Sequence, residues 1–215
     1  MSTRPFLAFA CAHMTDERLY AHQIEALSAT HDCKVFVFRD QASMAAMAEH
    51  LLANTPERFT LIGLSQGGYM AFEVIRQALH RLERLVLIDT TAVADHPTRR
   101  DGRLRDIATV QQGGIEALIP ELPSRWLLPA HTQNKELVAL MGNMARSIGA
   151  RGQYQQQTAM LFRPDTAPVK ARLQPGEDAD ALRQRVGRGR ARGQGEAMCS
   201  GARCSSSAVP ELPKT

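Results

Sequence analysis

No histidine follows His131 in this 215-residue chain, and no aromatic residue follows Phe162. Aromatics make up only 5% of the whole, while hydrophobic residues reach an ordinary 44%. Without interleaved aromatics there are no platforms on which the bases of a single strand would stack. Cysteine is scarce as well, with Cys11, Cys33, Cys199 and Cys204 scattered along the chain. Cys11 and Cys33 sit in or beside apolar runs, where free thiols pack as small hydrophobes. Cys199 and Cys204 lack the spacing and companion ligands of a zinc site. No metal or cofactor is therefore expected, and a reducing, cytoplasmic setting is the simplest reading. No apolar run approaches the roughly 20 residues of a membrane-spanning helix. The opening Arg4 and Phe6-Leu-Ala-Phe-Ala-Cys-Ala12 superficially resemble a signal peptide, but the run is short and leads into Thr15-Asp-Glu-Arg18. It reads as a first strand.

Net charge is also missing from most of the chain. The formal net charge is +4, yet residues 166–215 hold nine Lys/Arg and five Asp/Glu, leaving 17 of each sign in residues 1–165. The basicity belongs to the tail. An Arg/Gly arm of this kind is a weak candidate for nucleic-acid binding, since acids dilute it and aromatics are absent.

What is present begins with Phe59-Thr-Leu-Ile-Gly-Leu-Ser-Gln-Gly-Gly68. An apolar run ends at Gly63-Leu-Ser65-Gln-Gly67 and passes straight into Tyr69-Met-Ala-Phe-Glu-Val-Ile-Arg76, which reads as helix. This is the pattern of a nucleophile elbow in its strand–turn–helix setting. Such a turn holds serine in strained backbone geometry, and bulk two residues to either side would clash. Gly68 is expected to keep the new helix close to its neighbours.

Four short apolar runs, 6–12, 33–38, 59–63 and 84–89, start 27, 26 and 25 residues apart. That spacing suits successive βαβ units. Val35-Phe-Val-Phe38 and Leu85-Val-Leu-Ile88 are continuously apolar, as expected of parallel strands covered on both faces. Met44, Met47, Ala48, Leu51 and Leu52 follow helical spacing, as do Ala71, Val74, Ile75, Ala78 and Leu79. A less regular helix is expected over Glu17–Ala29. Residues 1–90 thus form an α/β core. Residues 91–163 carry no further strand and read as a helical cap, with helices near 103–111, 113–119, 135–146 and 150–161, broken in the middle by Pro120, Pro123 and Pro129. Trp126, Leu127 and Leu128 either line a substrate pocket or pack cap against core. From Pro164 to residue 215 the composition, rich in Arg, Ala, Gly, Gln, Ser and Pro, predicts a disordered tail. It is also what an out-of-frame reading of a GC-rich gene produces, which translation of the other two frames would test.

The elbow, the Asp16-Glu-Arg18-Leu-Tyr20 segment, Arg84-Leu-Val-Leu-Ile-Asp-Thr90 and Arg163-Pro-Asp165 together resemble the α/β-hydrolase superfamily over residues 5–165. The resemblance is nearest to its small carboxylesterase-like members. It implies an α/β fold with a mostly parallel sheet flanked by helices, a helical cap, and a carboxylic ester or thioester as small-molecule substrate. Ser65 matches the nucleophile. The backbone N–H of Gln66 would be one oxyanion donor, and the second would come from Cys11-Ala-His13-Met14. Relatives carry His-Gly or Pro-Gly where this chain has Cys11-Ala12. His13 would supply that second N–H, or bring its imidazole near Ser65, or have neither role.

The superfamily order is serine, acid, then histidine. Asp178 in Gly176-Glu-Asp178 is one acid candidate and Asp89 another. No histidine stands in the family's position: after the elbow there are only His80, His96 and His131. A serine without a base stays a weak nucleophile. The sequence therefore implies an incomplete α/β-hydrolase fold with impaired chemistry, or a catalytically inactive relative or truncated product.

Overall fold

The computed structural model describes residues 4–171. Strand β1 (Phe6–Ala10) leads through a 3-10 turn at Glu17–Tyr20 into helix α1 (Ala21–Leu27) and strand β2 (Asp32–Phe36). Helix α2 (Met44–Ala53), strand β3 (Phe59–Leu64), helix α3 (Gln66–Ala78) and strand β4 (Leu82–Ile88) follow. The four strands form one parallel sheet in the order β2-β1-β3-β4. Parallel neighbours need crossover connections, and the helices between the strands supply them.

Alternation along β1 divides the core. Ala8 and Ala10 face a cluster with Phe36, Met47, Leu51, Phe59, Met70 and Ile75, which α2 and α3 complete. Leu7 and Phe9 point the other way, with Cys11, Tyr20 and Ile62, over Ile24 and Leu27 of α1. The methionines at 44 and 47 are core residues, as their spacing requires. Each strand starts or stops within two residues of its apolar run. Among the described residues β4 has a strand on one side only, and Val86 and Ile88 remain about two-fifths exposed, at 43% and 42%.

The cap comprises helices α4 (Pro97–Gly113), α5 (Leu122–Trp126) and α6 (Lys135–Leu161), and helix α7 (Ala167–Ala171) follows it. Two expectations need correction here. Helix α4 starts six residues ahead of 103, because the His96 side chain caps it and Pro97 stands at its first position. No α-helix spans 113–119. Gly114, at φ 69°, breaks the chain into 3-10 turns at Ile115–Ala117 and Ile119–Glu121. The helices expected at 135–146 and 150–161 do occur, as two arms of α6 meeting at Gly149, whose φ 70° and ψ 176° are not helical. The cap has its own apolar cluster of Val110, Leu118, Leu122, Met141 and Ala145, and Met14 of the core reaches into it.

Residues 164–171, which composition assigned to the tail, are among the described residues and take part in the fold. Thr166 is buried and donates from both its N–H and its hydroxyl to the Ala92 carbonyl at 2.8 Å. Val169 packs on the main core beside α3, apolar burial that composition averaged over 164–215 concealed. Asp178, Cys199 and Cys204 lie outside the described residues.

Candidate functional site

Ser65 joins β3 to α3 with φ 51° and ψ −107°, a left-handed conformation that a non-glycine residue holds at about 1–3 kcal/mol. The surrounding hydrogen bonds fix it there. Its N–H donates to the Ile88 carbonyl of β4 at 2.9 Å, and its carbonyl accepts from Gly68 N–H, Tyr69 N–H and Thr90 Oγ1. The three glycines are required by close approach. A Cβ on Gly63 would lie 2.7 Å from the Gly67 backbone, and one on Gly67 would lie 2.3 Å from the Ala10 carbonyl oxygen. One on Gly68 would meet the Thr90 side chain at 2.5 Å, so Gly68 does set the distance between α3 and its neighbour. Ser65 is partly exposed, and its hydroxyl has no hydrogen-bond partner among the described residues.

The backbone N–H groups of Gln66 and His13, in the neighbouring segments, have no acceptor among the described residues. Gln66 opens α3, so its N–H has no intrahelical acceptor. Its side chain is fully buried; Nε2 donates to the Gln156 carbonyl at 3.4 Å, while Oε1 is unpartnered. The His13 N–H likewise has no acceptor among the described residues. The carbonyl on the same peptide, that of Ala12, accepts from Thr15 N–H at 3.4 Å and from Thr15 Oγ1 at 2.9 Å. Met14, next along, has φ 56° and donates its N–H to Gln156 Oε1 at 2.9 Å.

The His13 imidazole does not bond to Ser65. It is buried edge-on against Trp126 of the cap, with ring centroids 5.9 Å apart and Nε2 unpartnered. Burial first, and the Arg103 and Arg125 charges second, push its pKa down to about 3, so it is neutral at pH 7. Leu127 packs on the cap cluster, whereas Leu128 is exposed. Burial pushes the Cys11 thiol up to about 12, leaving it no thiolate character.

Asp16, Arg18 and Tyr20 brace this loop. Burial raises the Asp16 carboxyl, but hydrogen bonds from the Arg18 side chain and backbone more than offset it and hold the pKa below the usual range. Arg18 continues to the Asn143 carbonyl of α6 at 2.8 Å, and Tyr20 donates to the Ala10 carbonyl at 3.1 Å.

Asp89 follows Ile88 directly, at φ 43°, and is exposed. His96 Nδ1 is occupied at the start of α4, 3.0 Å from Thr98 Oγ1, while His80 and His131 are exposed. No hydrogen bond joins Ser65 to an acid or a histidine side chain among the described residues. No cluster of three or more metal-ligating side chains occurs among them either.

Two features escaped the sequence. Asp95 lies buried between Arg103 Nε at 2.5 Å and Arg163 Nη2 at 2.8 Å. Burial raises its pKa, but the two guanidinium groups together lower it below the usual range. Arg163 also lies over the Tyr69 ring, 4.1 Å from its centroid. The second is the buried glutamine face of α6, formed by Gln153, Gln156 and Gln157. Gln156 falls four residues after Gly152 and four before Met160, both buried, and that spacing was the available signal.

No family model matches the chain, and no curated protein matches it. Solved structures do. A hydrolase from Pseudomonas aeruginosa is 22% identical with a TM-score of 0.67, over 76% of this chain and 66% of its own. A thermophilic esterase from Thermogutta terrifontis is 24% identical with a TM-score of 0.66, over 86% and 78%. The enol-lactonase from Burkholderia xenovorans is 19% identical with a TM-score of 0.69, over 78% and 68%. The chain thus spans about two thirds to three quarters of the length of these proteins. A further match is to epoxide hydrolases of the α/β-hydrolase superfamily. Its parallel sheet, the helices around it and these likenesses identify the fold of this chain as that of the α/β-hydrolases.

Proposed function

We propose that Ser65 is the nucleophile of a serine hydrolase-type centre for carboxylic esters or thioesters, and that turnover by this chain is impaired. The observation carrying the reading is Ser65 held at φ 51° on the tip of β3, beside the unpaired N–H of Gln66. In such a centre Ser65 Oγ bonds to the carbonyl carbon, and the C=O electron pair moves onto oxygen. The N–H groups of Gln66 and His13 stabilise that oxyanion. Collapse expels the alkoxide or thiolate, which takes its proton from solvent, and leaves an acyl-serine, which water then hydrolyses.

The weak point is the proton on Ser65. His13 is neutral but turned toward Trp126, and the chain carries no histidine after His131. With no side chain among the described residues bonded to the Ser65 hydroxyl, that proton passes to solvent. Triad enzymes stripped of their base retain roughly 10³–10⁴-fold catalysis over water from the oxyanion site and binding. This chain is expected to reach that level at most. Intact-mass measurement after incubation with a p-nitrophenyl ester should show slow single acylation that Ser65→Ala abolishes. Fluorophosphonate labelling as fast as that of an active esterase would overturn the impairment, and acylation persisting in the Ser65→Ala protein would overturn the nucleophile. The unbonded Ser65 hydroxyl also favours a second reading, a catalytically inactive relative that binds such a ligand, for which no acylation at any time is the expected result.

A further inference from the structure

We propose that Gln156, on the cap helix α6, is a positioning residue for the oxyanion site; the proposal rests on the reading of Ser65 just given. Gln156 is buried to 1% exposure, where an amide is costly unless both its ends are bonded. Its Oε1 accepts from Met14 N–H at 2.9 Å and its Nε2 donates to the Phe38 carbonyl at 2.6 Å. The orientation of the amide follows from its partners, since an N–H can only donate and a carbonyl can only accept.

The tethered residue is the strained one. Met14 holds φ 56° directly after His13, whose N–H is the second oxyanion donor in the proposed site. Removing the acceptor would orphan a buried N–H and free Met14 to return to negative φ. That rotation turns the peptides before it, including the one that carries the His13 N–H. Thr15 holds that peptide at its carbonyl end only, through Ala12. The same glutamine also reaches the other donor residue, because its backbone carbonyl accepts from Gln66 Nε2. The Met14 side chain adds a second link by packing in the cap cluster. Gln156 therefore couples the cap to both halves of the oxyanion site.

A brace of purely structural value would affect all ligands alike, so the test compares two probes on the full chain. Phenylethylboronic acid forms a tetrahedral adduct when Ser65 Oγ bonds to boron and its proton leaves to solvent. The planar 3-phenylpropanamide makes no such adduct. Gln156→Met preserves volume and removes both hydrogen bonds. It is expected to weaken boronate binding about tenfold, a fraction of the loss when an oxyanion donor is removed outright, while amide binding stays within about twofold. Gln156→Glu keeps an acceptor for Met14 and is expected to preserve slow hydrogen exchange at that N–H, which Gln156→Met accelerates. Equal weakening of both probes in Gln156→Met, or unchanged exchange at Met14, would overturn the proposal. Should the unaltered protein bind no boronate, the chemistry assigned to Ser65 fails, and exchange at Met14 alone decides whether Gln156 positions the loop.

Discussion

Gly67 and Gly102 are both helical glycines, and they respond oppositely to a methyl group. At Gly67 the added carbon would lie 2.3 Å from the Ala10 carbonyl oxygen, in backbone that cannot yield. At Gly102 the nearest atom is the far end of the Arg105 side chain at 3.7 Å. Gly67→Ala is expected to destabilise by about 3 kcal/mol, and Gly102→Ala to stabilise by about 0.5–1 kcal/mol through helix propensity. Urea midpoints at constant m-value check both. The strand–turn–helix around Ser65 was legible because close approach restricts residue type at fixed spacing. The partner of His13 was not, because nothing local in Cys11-Ala-His-Met14 announces a tryptophan more than 100 residues away.

His13 also gives stability a pH dependence. Its folded pKa of about 3 lies below the ordinary 6.5, so the unfolded chain binds the proton more readily. Its contribution is complete above pH 6.5 and is lost as pH falls from there toward 3. Between pH 6.5 and 4.5, above the carboxylate range, the unfolding free energy should fall with pH. His13→Phe, which keeps a ring against Trp126, should flatten that slope in chemical denaturation.

At the scale of elements, Asp95 ties α4 to the segment after α6 through Arg103 and Arg163. Asp95→Ala leaves two cations buried without a counter-charge, for an expected loss of about 3–5 kcal/mol. Replacing all three residues by apolar ones should recover much of it, and thermal or urea unfolding reads both outcomes. The strands were legible because continuous apolar runs mark parallel strands. Burial on both faces holds for β1 and β3 only, since Val86 and Ile88 leave one face of β4 exposed. The cap was less so. Its helix ends depend on the His96 cap and on Gly114, while its buried face includes Gln153, Gln156 and Gln157, which any count of apolar period treats as solvent-facing. Arg163-Pro-Asp165 was visible as a motif, but Asp95, the residue it serves, was not.

For the whole molecule, the two ends of the sheet differ in the apolar side chains they leave exposed. Both β2 and β4 are edges of the sheet among the described residues, and β4 in addition leaves Val86 and Ile88 about two-fifths exposed. Such an edge templates pairing with another chain. The protein is expected to self-associate at micromolar concentrations, and Val86→Lys to reduce that without lowering stability by more than about 0.5 kcal/mol. Sedimentation velocity across a dilution series is the check, and a monomer throughout would contradict the expectation. Within the described residues no helix is long and apolar enough to cross a membrane.

The joint at Gly149 separates an arm of α6 that answers to the cap cluster, through Met141 and Ala145, from one that answers to the main core, through Ala159 and Met160. Its φ 70° and ψ 176° belong to a region essentially closed to L-residues, yet no atom lies within 4 Å of where a side chain would begin. The constraint there is therefore one of handedness rather than of room. A D-alanine introduced by chemical ligation would find the mirror image of an ordinary extended conformation, with open space around its methyl group. It should stabilise the fold by about 0.4–1 kcal/mol through the unfolded chain alone, where L-alanine destabilises it.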